Sequence, residues 1–70
     1  MTEKEEMKSF LVKELAKQLI ANDNTLSIEQ ALTLVLNSET YEKLMDDASK
    51  LYYQSPGYVF SFLQTELKTG

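Results

Sequence analysis

The chain has 70 residues, 43% of them apolar and 26% charged, and 11 acidic residues against 7 lysines give it a formal net charge of −4. It contains no His, Cys, Arg or Trp, which removes the usual bases, nucleophiles, phosphate clamps and transition-metal ligands. We therefore expect a folded protein that is not an enzyme, with no cofactor, no metal and no nucleic-acid partner.

The length allows one small domain, residues 1–70, without a disulfide to stabilise it. Either its helices pack very well or a second copy completes the core. No apolar run approaches the roughly 18 residues of a membrane span, and no signal-peptide pattern is present. These features predict a cytoplasmic protein with no membrane partner.

A first helix is predicted from about Glu3 to Ala21, ending at the turn residues 22–24. Apolar side chains recur at every fourth position, at Met7, Leu11, Leu15 and Leu19. Phe10 lies well off this line, so the helix has more apolar surface than one packed face requires. The lysines among its first 17 residues are interspersed with glutamates, which indicates a solvated face.

The second helix is predicted from about Ile28 to Leu36, because residues 27–30, S-I-E-Q, match the capping-box pattern. Ser38 is a good N-cap for a third helix. Its apolar stripe continues to Tyr52 and comprises Tyr41, Leu44, Met45, Ala48, Leu51 and Tyr52. A single bent helix in place of the second and third remains an alternative.

The fourth helix begins at Ser55 as N-cap and Pro56 as first helical residue, and runs to about Leu67. No pair of strands is indicated. The predicted fold class is all-α, a compact bundle of three to four helices.

Five of the seven aromatic residues lie between Tyr52 and Phe62. The apolar residues of the fourth helix sweep an arc of roughly 200°; they are Tyr58, Val59, Phe60, Phe62, Leu63 and Leu67. This width fits a helix central in the core. It also fits an exposed partner-binding patch formed by Tyr53, Tyr58 and Phe60. Together with Phe10, the surplus favours a homodimer over a monomer.

Acidic residues collect on the third helix, at Glu39, Glu42, Asp46 and Asp47. A divalent-cation site is conceivable there, but the alternating ligands and turn glycine of a calcium loop are absent. A solvated face is the expected role.

Two segments carry a resemblance to a known family. Residues 41–44, Y-E-K-L, and residues 51–60, L-Y-Y-Q-S-P-G-Y-V-F, resemble a family of short, uncharacterised bacterial helical proteins with the signature Y-x-K-L … L-Y-x-Q-S-P-x-Y-V-(Y/F). The resemblance covers the second half of the chain and implies a bacterial, cytosolic, all-helical protein with an antitoxin-like or accessory binding role. Members often carry Thr-Gly before the L-Y pair. Here Ser49 and Lys50 stand there, so we expect helix at this point.

The sequence thus favours a small protein–protein interaction or assembly module that self-associates or binds a protein partner. The alternative is an antitoxin-like or helix-turn-helix transcriptional regulator with the third helix as the recognition helix. That helix is too acidic to make the alternative the first choice.

Overall fold

The structure, a computed structural model, describes residues 2–69 and contains four α-helices and two 3₁₀ turns in that range. The helices are α1 (Glu3–Asn22), α2 (Ile28–Leu36), α3 (Glu39–Met45) and α4 (Pro56–Thr69), and the 3₁₀ turns are Asp47–Ser49 and Leu51–Tyr53. No strand occurs within residues 2–69. The all-α fold class is confirmed.

The hydrogen bonds of the predicted N-caps are present in the structure. The Ser27 hydroxyl accepts from the Gln30 N–H (3.1 Å), and the Gln30 side chain accepts from the Ser27 N–H (2.9 Å). Ser38 accepts from the Tyr41 N–H, and Ser55 accepts from the Tyr58 N–H. Because Ser38 caps a new helix, α2 and α3 are separate, and the single bent helix is wrong.

The third helix is shorter than its apolar stripe predicts. It ends at Met45, and the Asp46 carboxylate then accepts from the Ala48 N–H (3.0 Å) to begin a 3₁₀ turn. Lys50 has φ 54°, the left-handed conformation that glycine adopts most readily. The expectation of helix at residues 49–50 is therefore wrong for Lys50, whereas Ser49 is the last residue of a 3₁₀ turn. Leu51 and Tyr52 are nevertheless buried, because the left-handed residue turns the chain back onto the core.

The core lies between α1 and the other three helices. Its largest fully buried side chains come from all four helices and are Leu15, Val35, Leu44, Val59 and Leu63. Leu11, Leu15 and Leu19 form the buried face of α1, as the fourfold spacing predicts. A single contiguous cluster therefore fills this small domain.

A carboxylate from α4 completes the start of α3. Glu66 accepts hydrogen bonds from the Glu39 N–H (2.8 Å) and the Thr40 N–H (3.0 Å), and from the Thr40 hydroxyl (2.9 Å). Together with the Ser38 cap, these bonds satisfy the first three N–H groups of α3. A helix this short is not stable in isolation. The hydrogen bonds to Glu66 therefore stabilise α3 by joining its N-terminus to α4.

Candidate interaction surface

Large apolar side chains remain at the surface in several separate places. Those with more than a third of their area exposed are Phe10, Ile28, Leu34, Leu36, Tyr53, Tyr58, Phe62 and Leu67. Isolated examples are ordinary on protein surfaces. The informative cases are those where residues distant in sequence meet.

Phe10 and Tyr53 meet in this way along one groove. Phe10 is 54% exposed and Tyr53 is 59% exposed, and both line a groove of about 300 Å³ between α1 and the Leu51–Tyr53 turn. Met7 and Pro56 contribute further apolar lining, and Glu3 and Glu6 add acidic side chains. We call this the Phe10–Tyr53 groove. An apolar lining with adjacent charges is the usual anatomy of a small protein-binding patch.

Lys8 holds the segment that presents Tyr53. Its ammonium donates to the Met45 carbonyl (3.1 Å) and to the Asp47 carboxylate (2.6 Å), and it lies 5.3 Å from the centre of the Tyr52 ring. The Lys8 hydrogen bond, aided by the charge of Lys4, lowers the pKa of Asp47.

The same contacts fix the aromatic pair beside the groove. A cation at the Met45 carbonyl is favourable because the C-terminal end of α3 carries partial negative charge. Tyr52 is held inward beneath Lys8, and the Tyr53 ring packs on Tyr52 with 4.5 Å between ring centres. The Tyr53 ring therefore faces solvent while its other side packs on the fixed Tyr52 ring.

Tyr58 belongs to a different part of the surface. It is 50% exposed, and its ring packs edge-to-face on Phe62 with 5.1 Å between ring centres. Neither residue lines the Phe10–Tyr53 groove. The structure therefore does not join Tyr53 and Tyr58 into the single patch predicted from sequence.

Phe60 requires a correction. It is only 7% exposed and lies in the core with Val59 and Leu63, so its predicted exposure in a partner-binding patch is wrong. The physical reason is angular: Phe60 lies about 60° from Leu63 around the helix, within the inward face. Phe62 lies about 100° from Leu63 on the other side and is exposed. Tyr53 and Tyr58 are both exposed, as predicted, and of the two Tyr53 alone lines the Phe10–Tyr53 groove.

A second groove lies on the opposite flank of α1. It measures about 310 Å³, and its apolar lining comprises Val12, Leu36, Tyr41 and Met45. Leu36 is half exposed, whereas Tyr41 and Met45 pack partly against the core. It has no strongly exposed aromatic residue, so it is the weaker candidate.

The two acidic residues that directly follow α3 have structural roles. Asp46 caps a 3₁₀ turn, and Asp47 receives Lys8 and Lys4 at 2.6 and 3.6 Å. Within residues 2–69, no three acidic side chains are arranged to hold a metal ion.

Glu66 is a carboxylate with several hydrogen-bond partners that the sequence did not single out. Burial raises the pKa of Glu66, but hydrogen bonds from Glu39 and Thr40 outweigh it, and the net pKa is lowered. The sequence signal was an acidic residue seven positions after Val59, on the buried stripe of α4. Its partners show a stabilising role.

Comparisons with protein-family models, curated proteins and solved structures gave no match. The family signature at residues 41–60 thus stays a prediction. Among the described residues, no helix is both long enough and apolar enough to cross a membrane.

Proposed function

We propose that this protein is a small helical protein–protein interaction module that self-associates through the Phe10–Tyr53 groove, and that it works in the bacterial cytoplasm. One observation carries the proposal: two aromatic side chains from segments more than 40 residues apart converge on one groove while each remains more than half exposed. Exposed aromatic area lost from water on association is a main source of binding free energy.

The size of the groove favours a protein side chain as its occupant. About 300 Å³ is the lower limit of pockets that enclose small molecules. A phenylalanine or tyrosine ring from a second copy of the chain would lie along Met7 and Phe10. The supported Tyr53 ring offers a rigid contact, which lowers the entropy cost of binding.

Light scattering during size-exclusion chromatography tests this function. We expect the average mass to rise from about 8 kDa toward twice that value as concentration increases. Phe10→Ser should prevent the rise. Phe62→Ser is the matched control, because it removes an exposed phenylalanine from α4 outside the groove. A monomer at every concentration, or equal loss in both variants, contradicts the proposal.

The helix-turn-helix alternative has less support. The recognition helix of such proteins meets DNA near its N-terminus. In α3 that end carries Glu39 and already binds the carboxylate of Glu66. We expect no change in a titration with mixed-sequence duplex DNA at low salt, and saturable binding would revive the alternative.

A further inference from the structure

The outer face of α1 carries an ordered series of charges around Phe10. Five exposed residues follow the spacing three, four, three, four, and we call them the α1 stripe: Glu3, Glu6, Phe10, Lys13 and Lys17. Two acids precede the aromatic residue and two lysines follow it. Such spacing keeps all five side chains on one side of a helix.

The fold of a single chain explains only part of this order. Glu3 and Glu6 complement the positive N-terminal end of α1. Lys13 and Lys17 do not serve the opposite end, because the last turn of α1 has no basic residue. They are also like charges one turn apart, which disfavours the isolated helix. Lys17 contacts Glu14 at 3.2 Å, but its side chain is 73% exposed, so this pair contributes little.

We propose that two copies of this chain pair through their α1 stripes in antiparallel orientation, with Phe10 at the two-fold axis. This inference rests on the proposed function and specifies its partner and geometry. Glu3 and Lys17 lie seven residues on either side of Phe10. Antiparallel pairing about Phe10 places Glu3 opposite the partner subunit's Lys17 and the acidic half of each stripe along the basic half of the other.

The charge order selects this orientation over the parallel one. Parallel helices in register would place glutamates against glutamates and lysines against lysines, which is repulsive. The two-fold arrangement is self-complementary, as a closed homodimer requires. It also brings Phe10 against the partner subunit's Phe10, beside the apolar lining of the Phe10–Tyr53 groove.

The interface is small and its ion pairs are exposed, so the dimer is weak and salt-dependent. Exposed ion pairs each contribute little, and salt at 1 M shortens the screening length to about 3 Å. We expect the dissociation constant to rise with ionic strength. A parallel, like-charged pairing would show the opposite trend.

Charge exchange within the stripe tests the pairing directly. In the variant E3K/E6K all four charges of the stripe are positive, and we expect its dissociation constant to rise at least about tenfold. In E3K/E6K/K13E/K17E the order is reversed but self-complementary, so we expect dimerisation to return to within about threefold of the native value. The two results together require antiparallel pairing of acidic and basic halves.

A matched control separates the stripe from net charge. Each Glu→Lys exchange adds two charges, so E3K/E6K takes the formal net charge from −4 to zero. E5K/E29K makes the same change, and Glu5 lies about 140° around α1 from Phe10. We expect this control to dimerise as the native chain does, and circular dichroism must show all variants to be helical.

Two failures are distinguishable. A native chain that stays monomeric at every concentration overturns the proposed self-association and this pairing with it. A native dimer that E3K/E6K and E5K/E29K affect equally, or that the reversed variant does not restore, overturns only the antiparallel stripe pairing.

Discussion

Four aromatic side chains of similar size lie in opposite environments. Tyr52 and Phe60 are buried, whereas Phe10 and Tyr53 are exposed. The first two are 3% and 7% exposed, whereas the second two are more than half exposed. Neighbours in sequence, Tyr52 and Tyr53, fall on different sides. Aromatic density along the chain therefore does not locate the interaction surface; the direction of each side chain from its helix or turn does.

The largest contrast is expected in stability. Phe60→Ala should cost about 3–5 kcal/mol in the free energy of unfolding, because it leaves a cavity in the core. Phe10→Ala should change the same quantity by no more than about 0.5 kcal/mol. Urea denaturation followed by circular dichroism measures both.

A domain of this size has little stability, and Phe60→Ala can unfold it altogether. Phe60→Leu is therefore measured as well, with an expected loss in the free energy of unfolding below about 1.5 kcal/mol. Equal losses in the free energy of unfolding for the alanine variants of Phe60 and Phe10 would contradict the assignment of Phe60 to the core and Phe10 to the surface.

The polar contact between α4 and the start of α3 gives the next effect. Glu66→Gln should lower the free energy of unfolding at pH 7 by about 1–2 kcal/mol, since the carboxylate binds the N-terminus of α3. The lowered pKa of Glu66 means that its contribution is full above its ordinary value of 4.5 and is lost as pH falls through the lower folded-state pKa.

Denaturation curves between pH 7 and pH 3 check the sign of this dependence. We expect the native chain to lose more stability over this range than Glu66→Gln does. Parallel pH profiles for the two proteins would show that Glu66 does not fasten α3 to α4.

A smaller, stabilising change is expected at the turn that places Tyr53 outside. Lys50→Gly should raise the free energy of unfolding by about 0.5–1 kcal/mol, because glycine adopts positive φ without steric cost. Lys43→Gly, in α3, is the matched control and should lower it by about 1 kcal/mol. Destabilisation by Lys50→Gly would contradict the left-handed turn.

Much of the fold was predictable because caps are local. Ser27, Ser38 and Ser55 each begin a helix through bonds to residues three positions later, and such patterns can be read directly from sequence. The end of α3 was not predictable in the same way. The apolar spacing continues through Tyr52, but α3 ends at Met45, where the backbone of Asp46 is extended. Lys50 then adopts a left-handed conformation that no local rule requires of lysine.

The candidate surface was predictable only in part, for reasons of geometry. The 200° apolar arc of α4 did not show which aromatic residue faces inward, because that depends on where α1 and α3 pack. The sequence shows Phe10 as surplus apolar surface, but that it lines the same groove as Tyr53 depends on the tertiary fold, which brings distant segments together. Glu66 likewise acts across 26 or more residues.

The central claim is that the outer face of α1, together with Tyr53, is where two chains meet. A dilution series of two-dimensional amide NMR spectra tests it most directly, residue by residue. We predict concentration-dependent shifts centred on the α1 stripe and Tyr53, with Tyr58 and Phe62 unchanged. Spectra that do not change with concentration, or shifts centred on Tyr58 and Phe62, would contradict it.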